Sequence, residues 1–302
     1  MKTEARQKKL LSPELAQRRV RRISKLSTLP FIAVKVMELV ENPRTSASKL
    51  CDFISADQVM AARILRLANS AYYGFPRKIS TLNLAIVVLG FNALRDLVLS
   101  ISIIDRFSLK SQEEIDLEQF WRHALIVGRG ARVLARYLNY PVVGEAFVAG
   151  LLHDIGYLAF MQQFPTEFKE VNHFSRENAT PFNEAEIRIL GYSHTQLGSW
   201  LAENWNLPAK LVEAIRYHHQ PDKSMEHQEM VKIIHMADLI SYSIGEGSGI
   251  NQIYSLSAEE LETQLKEKFS KNVYPLSFLQ DKFRQESEKI QEFLDILQNK
   301  KQ

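Results

Sequence analysis

The 302-residue sequence contains a single cysteine, Cys51, so the chain cannot close an internal disulfide. It has no run of about 18 consecutive apolar residues, the length that a membrane-spanning helix requires. The apolar run at residues 82–91 is too short and is interrupted by Asn83. The N-terminal residues contain no apolar core of the kind that a secretory signal peptide carries. These absences predict a cytoplasmic protein without a membrane span.

The sequence also has little net charge, +3 in total, and this charge is unevenly distributed. Residues 1–25 contain nine Lys or Arg against Glu4 and Glu14, a net of +7, which leaves about −4 for the remainder. The bulk of the chain therefore has no charge bias toward nucleic acid. We interpret residues 1–19 as a basic arm. The basic cluster at residues 18–22 is of the kind that contacts nucleic acid. We rank nucleic-acid binding as the weakest of the functional alternatives.

Strict alternation of apolar and polar residues, the pattern of a half-buried strand, is missing as well. Apolar residues instead recur every three or four positions, which is the period of a helix. One such series is Ala61, Ile64, Leu65, Ala68; another is Leu94, Leu97, Val98, Ile101. Asp57 and Ser80 or Thr81 are of the residue types that begin helices, and Pro43 follows the end of another. With 45% hydrophobic and 24% charged residues, the chain is predicted to be a globular all-α protein.

The most informative residues are the histidines, because several of them lie in apolar surroundings. His153 and Asp154 are adjacent within the predicted helix FVAGLLHDIGYLAF, and Asp238 follows His235 by three residues in VKIIHMADLIS. A buried aspartate is costly unless it is paired or binds a cation. The remaining candidates are His123, His194 and the adjacent pair His218 and His219.

Helical bundles build metal sites from side chains of facing helices. Mixed His and Asp ligands favour iron, manganese, zinc or nickel over calcium or magnesium. The alternative is that each of these residues is a hydrogen-bonded polar group of the core, and spacing alone does not decide between the two.

The arrangement His123…His153-Asp154…Asp238 resembles the HD superfamily of metal-dependent phosphohydrolases. The additional His194, His218 and His219 resemble the binuclear HD-GYP phosphodiesterases of that superfamily. The first hundred residues are more specific. The segments LPFIAVKVMELVENP, DQVMAARILRLANSAYY and AIVVLG, together with GYSHTQLGSWLAENWNLPAKLVEAIRYHHQP, resemble the HDOD domain over residues 20–240.

The resemblance implies an all-α fold with an HD-type helical core, an N-terminal helical subdomain and C-terminal helices. We accordingly divide the chain into residues 1–19, the N-terminal subdomain 20–118, the metal-binding core 119–243 and a C-terminal extension 244–302. The resemblance also implies one or two transition-metal ions (Fe, Mn, Zn or Ni), with a bridging Asp154. The implied ligands are His123, His153, Asp154, His194, His218, His219 and Asp238.

Three departures from the active phosphodiesterases are visible. Their lysine after the HD-x-G motif is Tyr157 here, and their G-Y-P signature is replaced by residues 220–223. Their glutamate one turn before the first histidine is Gln119, although Glu118 is adjacent. These departures favour metal binding over cyclic-dinucleotide cleavage.

Two functional hypotheses follow. The first is a bacterial signal-transduction module that binds a signalling partner and keeps its metal site. The alternative is a metal-dependent phosphohydrolase or phosphodiesterase acting on a nucleotide or cyclic dinucleotide, with Asp154 in the catalytic site. In that case Arg129 is the candidate phosphate-binding residue. His235 is expected to contact the metal ligands without binding a metal itself.

Overall fold

The computed structural model describes residues 14, 16–18, 30–70, 73–107, 115–250, 256–269 and 274–297. Most of the predicted basic arm, and residues 19–22 of the basic cluster at its end, lie outside the described residues. Besides residues 14 and 16–18, which are also helical, the described ranges contain sixteen α-helices, one 3₁₀ helix and no strand. The all-α prediction is confirmed.

The first five helices form an N-terminal subdomain. They are α1 (Phe31–Glu41), α2 (Ala47–Ser55), α3 (Gln58–Ala68), α4 (Leu82–Leu89) and α5 (Phe91–Arg106). The predicted helix starts are confirmed, because Asp57 accepts a hydrogen bond from the Met60 amide and Thr81 accepts one from the Leu84 amide. Such caps satisfy amides that have no partner within the helix. Helix α5 is buried along most of its length and packs against α1, α3, α4 and α7.

The next eight helices form the core that carries the candidate ligands. They are α6 (Leu117–Tyr137), α7 (Val143–Leu152), α8 (Ile155–Gln163), α9 (Pro165–Glu177), α10 (Phe182–Leu190), α11 (His194–Asn204), α12 (Ala209–Tyr217) and α13 (Gln228–Ser243), with the 3₁₀ helix Pro221–Lys223 before α13. Helix α6 is the central element, since α7, α13, α15 and α16 all pack against it.

The C-terminal helices are α14 (Ala258–Phe269), α15 (Leu276–Ser287) and α16 (Ile290–Leu297). Helix α15 packs against α6 and α13, and α16 contacts both α6 and the N-terminal helices α3 and α5. The apolar spacing of Ile290, Phe293, Leu294 and Leu297 explains this position, because all four side chains are buried.

The predicted continuous helix around His153 and Asp154 is wrong in one respect. The chain leaves the helical conformation at Asp154, whose φ and ψ are −100° and 10°. Helix α7 therefore ends at Leu152 and α8 begins at Ile155. The break places the His-Asp pair at a junction between two helices, where both side chains point into the core.

Two glycine contacts bring the ligand-bearing helices unusually close together. A Cβ atom on Gly150 would lie 2.6 Å from the Cα of Gly128, so α6 and α7 meet backbone to backbone. A Cβ atom on Gly156 would lie 1.8 Å from the carbonyl oxygen of His194. The start of α8 therefore meets the start of α11 just beside Asp154.

One stretch, Val143–Gln163, is long and apolar enough to cross a membrane by length and composition, and 94% of its most apolar window is buried inside the fold. Helices α4 and α5 pass the same test only as a pair, and they bend by 116°. Burial of this kind is typical of core helices.

Candidate metal centre

The structure brings the seven predicted metal ligands together at the centre of the core. His123 lies on α6 and Asp238 on α13, while His153 and Asp154 occupy the α7–α8 junction. His194 begins α11, and His218 and His219 follow α12. The side chains come from five places in the chain. All except His219 are buried, with at most 2% of their surface exposed.

We call His123, His153 and Asp238 the first group. One ligand atom from each of the three lies within 4.8 Å of the others. The Nε2 atoms of His123 and His153 are 3.2 Å and 3.6 Å from Asp238 Oδ1. At these distances the three donor atoms surround one common point.

We call Asp154, His194, His218 and His219 the second group, which meets the same 4.8 Å criterion. The Nε2 atoms of His194 and His218 both lie 3.4 Å from Asp154 Oδ1. The other carboxylate oxygen, Oδ2, faces the first group and is 3.2 Å from His153 Nε2 and 3.9 Å from His123 Nε2. Asp154 therefore presents one oxygen to each group, as a bridging carboxylate does.

The second ring nitrogen of each buried histidine is held by an acceptor. The Nδ1 atoms of His153 and His218 face the carbonyl oxygens of Gly150 and Ile215 at 2.7 Å and 2.9 Å. His123 Nδ1 faces the carbonyl oxygen of Glu246 at 2.8 Å. Because a carbonyl only accepts, each Nδ1 carries the proton and donates it, so Nε2 is left to face the centre. Metal-binding histidines are commonly oriented in this way.

His194 is held by a carboxylate instead. Glu186 Oε2 accepts from both the backbone amide of His194, at 3.0 Å, and its Nδ1, at 2.7 Å. Glu186 is 0% exposed. Glu186 is not among the site residues predicted from the sequence. The available signal was its position four residues after Phe182 and four before Leu190, on the buried face of α10.

The inward-facing atoms have no hydrogen-bond partner outside the cluster itself. These buried atoms are His123 Nε2, His153 Nε2, His194 Nε2, His218 Nε2, Asp154 Oδ1, Asp154 Oδ2 and Asp238 Oδ1. Unsatisfied buried polar atoms are rare in native proteins and call for an explanation such as an ion. Four imidazole nitrogens and two carboxylates are a donor set that suits transition metals. The residues present therefore fit a bound metal pair.

The electrostatics of the cluster point the same way. Burial lowers the pKa of His153, but the Asp154 and Asp238 carboxylates outweigh burial and raise it to about 10. Burial also lowers the pKa of His194, and Glu186 and Asp154 raise it to about 9. Burial raises the pKa of Asp238, but the facing imidazoles hold it well below its usual value. Asp154, whose pKa the facing imidazoles also lower, and Asp238 are thus ionised and stabilise positive charge at the centre.

The remaining predicted residues lie outside the two groups. His235 contacts the backbone of a candidate ligand, because its Nδ1 is 2.7 Å from the carbonyl oxygen of His218. The structure does not place Arg129 with the cluster. Its guanidinium carbon lies 5.2 Å from the ring centre of Phe147 and 5.0 Å from that of Phe293. The helical rotation of six residues from His123 turns Arg129 to another face of α6.

The structure shows the contacts of Tyr157 and Gln119, the residues that replace the phosphodiesterase lysine and glutamate. Tyr157 is buried and stacks on His194, with ring centres 3.8 Å apart and planes inclined by 17°. It supports a ligand and carries no charge toward the centre. Gln119 bonds through Nε2 to the carbonyl oxygen of Gly247 at 3.2 Å.

A cavity of about 520 Å³ opens beside His219. Its lining includes two cationic side chains, Arg216 and Lys223, and the polar residues Ser193, Thr195 and Gln220. The volume lies in the range of small-molecule sites. Since His219 belongs both to the second group and to the cavity wall, the second group borders this cavity through that side chain.

The fold and this His/Asp centre define an HD-type helical protein. The model of the HDOD domain matches residues 26–221, more than half of the chain. The chain belongs to the HDOD domain family.

Solved structures agree on the fold. The structure of an HDOD domain protein of unknown function from Geobacter sulfurreducens has a TM-score of 0.79 at 25% identity, covering 94% of this chain and 98% of that one. A candidate phosphohydrolase from Shewanella amazonensis SB2B has a TM-score of 0.74 at 24% identity, covering 92% and 97%. A candidate signal transduction protein from Marinobacter aquaeolei VT8 has a TM-score of 0.74 at 21% identity, covering 95% and 67%.

An uncharacterized protein of Treponema pallidum (strain Nichols) is 25% identical over 220 residues. These residues are 72% of this chain and 42% of that protein. The chain thus spans less than half the length of this curated relative.

Proposed function

We propose that the protein is a cytoplasmic bacterial signalling module whose HD core holds two transition-metal ions (Fe, Mn, Zn or Ni). The observation that carries the proposal is the set of buried, inward-facing nitrogen and oxygen atoms that face only one another and have no partner outside the cluster. Desolvating such atoms is costly unless a cation compensates for the lost water. A signalling protein partner and a nucleotide or cyclic-dinucleotide ligand belong to the proposal.

The two groups supply the ligands of this proposal. The first ion would be held by His123, His153 and Asp238, and the second by His194, His218 and His219. Asp154 would bridge the ions, because its two carboxylate oxygens face different groups. Gly150, Ile215, Glu246 and Glu186 hold the histidines in the orientation that this role needs.

Phosphoester hydrolysis is the second candidate function, and the cavity beside His219 favours it. A metal pair supplies a water of lowered pKa and polarises phosphoryl oxygens. Arg216 and Lys223 in the cavity wall would attract and neutralise a phosphate group. Ser193 and Thr195 offer hydroxyl groups for its remaining oxygens. The buried, uncharged Tyr157 offers no cation in place of the phosphodiesterase lysine, which ranks this function second.

The first experiment is elemental analysis of protein purified without chelator or metal-affinity resin. We expect one to two equivalents of iron, manganese, zinc or nickel in the wild type and none in Asp154→Ala. His173→Ala is the matched control, because that imidazole is exposed and pairs only with Glu177 among the described contacts. Wild-type protein that carries no metal and takes none up would refute the proposal.

Hydrolysis assays separate the two candidates. Nucleotides, cyclic dinucleotides and generic phosphoesters are offered to the metal-loaded protein in manganese and in iron. Turnover that Asp154→Ala abolishes and His173→Ala preserves would establish the phosphohydrolase. Metal-loaded protein without turnover on any substrate would leave the regulatory module as the function.

A further inference from the structure

The loop that follows α13 reaches the metal centre through Glu246. The carbonyl oxygen of Glu246 accepts a hydrogen bond from His123 Nδ1 at 2.8 Å. The Ser241 hydroxyl donates to the same carbonyl at 2.7 Å and lies 3.3 Å from His123 Nδ1. The peptide that orients His123 therefore belongs to the predicted C-terminal extension, outside the predicted metal-binding core.

The side chain of Glu246 is tied to the residue next to His123. Arg122 donates from Nε to Glu246 Oε2 at 2.8 Å and from Nη2 to Oε1 at 2.7 Å. Burial alone would raise the pKa of the Glu246 carboxyl, but hydrogen bonds from Arg122 and Ser287 lower it, so the group is ionised. Paired hydrogen bonds between an arginine and a carboxylate fix geometry as well as adding energy. Consecutive residues of α6 thus hold the backbone and the side chain of Glu246.

The C-terminal helices complete this arrangement. Ser287, the last residue of α15, accepts from Arg122 Nη2 at 2.8 Å and donates to Glu246 Oε1. Gln291 on α16 accepts from Arg122 Nη1 at 3.3 Å. The far end of α16 is held by the N-terminal subdomain, where Arg63 donates to the carbonyl oxygen of Leu297 and to Asp105. Helix α16 therefore runs from the support of His123 to the N-terminal subdomain.

We propose that Arg122, Glu246 and Ser287 form a positioning network through which the C-terminal helices hold His123 in its metal-binding orientation. The inference rests on the proposed metal function and adds regulation of the same site. Metal binding at the first group and docking of the C-terminal helices are then coupled, and each favours the other to the same extent. A metal ion in the first group stabilises the docking of α15 and α16, and a partner that displaces these helices releases that ion.

The test is a Zn²⁺ titration of the full-length, metal-free protein against a chromophoric chelator, in wild type, Arg122→Gln and Ser287→Ala. We expect Arg122→Gln to lower the affinity for one of the two ions by about 10- to 100-fold, the usual effect of losing a residue that orients a ligand. The other ion should be unaffected, and Arg122→Lys should restore part of the affinity. Arg284→Gln is the matched control, because Arg284 lies on α15 but pairs within that helix with Asp281.

Equal weakening of both ions, or no weakening at all, would overturn the network. A second measurement keeps this outcome separate from failure of the metal function. Nuclear magnetic resonance of ¹⁵N-histidine-labelled, metal-free protein reports which ring nitrogen of His123 carries the proton. We expect the Nδ1–H form in wild type and a mixture in Arg122→Gln. If wild type binds no Zn²⁺ the metal function fails, whereas an unchanged His123 signal in the variant refutes the network itself.

Discussion

The two groups of the candidate metal centre share a carboxylate but differ in access. The first group, His123, His153 and Asp238, is enclosed, since all three side chains are at most 2% exposed. The second group includes His219, which is half-buried and lines the 520 Å³ cavity. Closed sites in proteins are typically structural, whereas sites with an open position are typically catalytic or ligand-binding.

The supports of the two groups differ as well. Neutral peptide carbonyls of Gly150 and Glu246 orient the histidines of the first group. A buried carboxylate, Glu186, orients His194 in the second. A carboxylate partner makes an imidazole a more basic ligand. On the proposed metal function, the first group would hold an ion for stability, while the second would present one to a ligand.

The largest expected effect comes from removing one ligand from each group. Asp238→Asn should abolish binding of the first ion, because the enclosed site offers no water to replace the carboxylate. His219→Gln should only weaken the second ion, because the cavity admits water in its place. Zn²⁺ titration monitored by elemental analysis measures both. Complete loss of the second ion in His219→Gln would contradict the difference in access.

A glycine substitution should separate the groups without touching a ligand. In Gly156→Ala the new methyl would meet the carbonyl oxygen of His194, a backbone atom that cannot move away by itself. We expect a loss of at least about 1–3 kcal/mol in the free energy of unfolding and selective weakening of the second ion. Gly144→Ala is the control, because its nearest atom is the flexible end of Arg95. Denaturant unfolding and Zn²⁺ titration give the two quantities.

The metal-free protein should lose stability as the pH rises. The pKa of His153 is raised to about 10 and that of His194 to about 9, from an ordinary value of 6.5. Their contribution is complete below about pH 6.5 and is lost as the pH approaches 9 to 10. Metal binding requires neutral imidazoles, so the affinity should rise over the same range, with protons released. Thermal melts of the metal-free protein test the loss of stability, and calorimetry in two buffers tests the release of protons on metal binding. A melting temperature of the metal-free protein that rises with pH would contradict the first expectation.

The smallest effect is expected at His235, which reaches the second group through the backbone of His218 and faces Gln264 with its other ring nitrogen. His235→Gln should weaken the second ion by less than about tenfold, since it lies one step beyond the residues that orient ligands directly. The first ion should be unaffected, and His173→Gln serves as control. A stronger effect on the first ion than on the second would show that the two groups are not supported separately.

The sequence predicted the helices because their signals are local. Apolar spacing and caps such as Asp57 and Thr81 depend on residues three or four positions apart. The His and Asp ligands also stood out, since polar residues in apolar helices are conspicuous. Glu186 did not, because Glu184 and Arg188 make its surroundings look solvent-facing, and only the packing of α10 buries it.

Arg129 and Glu246 show the other limit of sequence reasoning. Nearness to His123 along the chain favoured Arg129 as a phosphate-binding residue, but the rotation of the helix carries it to aromatic neighbours. Glu246 lies 123 positions from His123, yet it supplies the contact that orients the ring. Such contacts are set by tertiary packing, and a single sequence contains no local signal for them.

The spread of the ligands along the chain has a consequence for cohesion. His123 and Asp238 come from α6 and α13, the first and the last helix of the core in chain order, and this chain has no internal disulfide to connect distant segments. An ion held by both residues would act as a reversible cross-link that closes a loop of more than one hundred residues. Closing a long loop restricts the unfolded chain most strongly. The free energy of unfolding of the core would then depend on the metal supply, as that of a disulfide-linked protein depends on redox conditions.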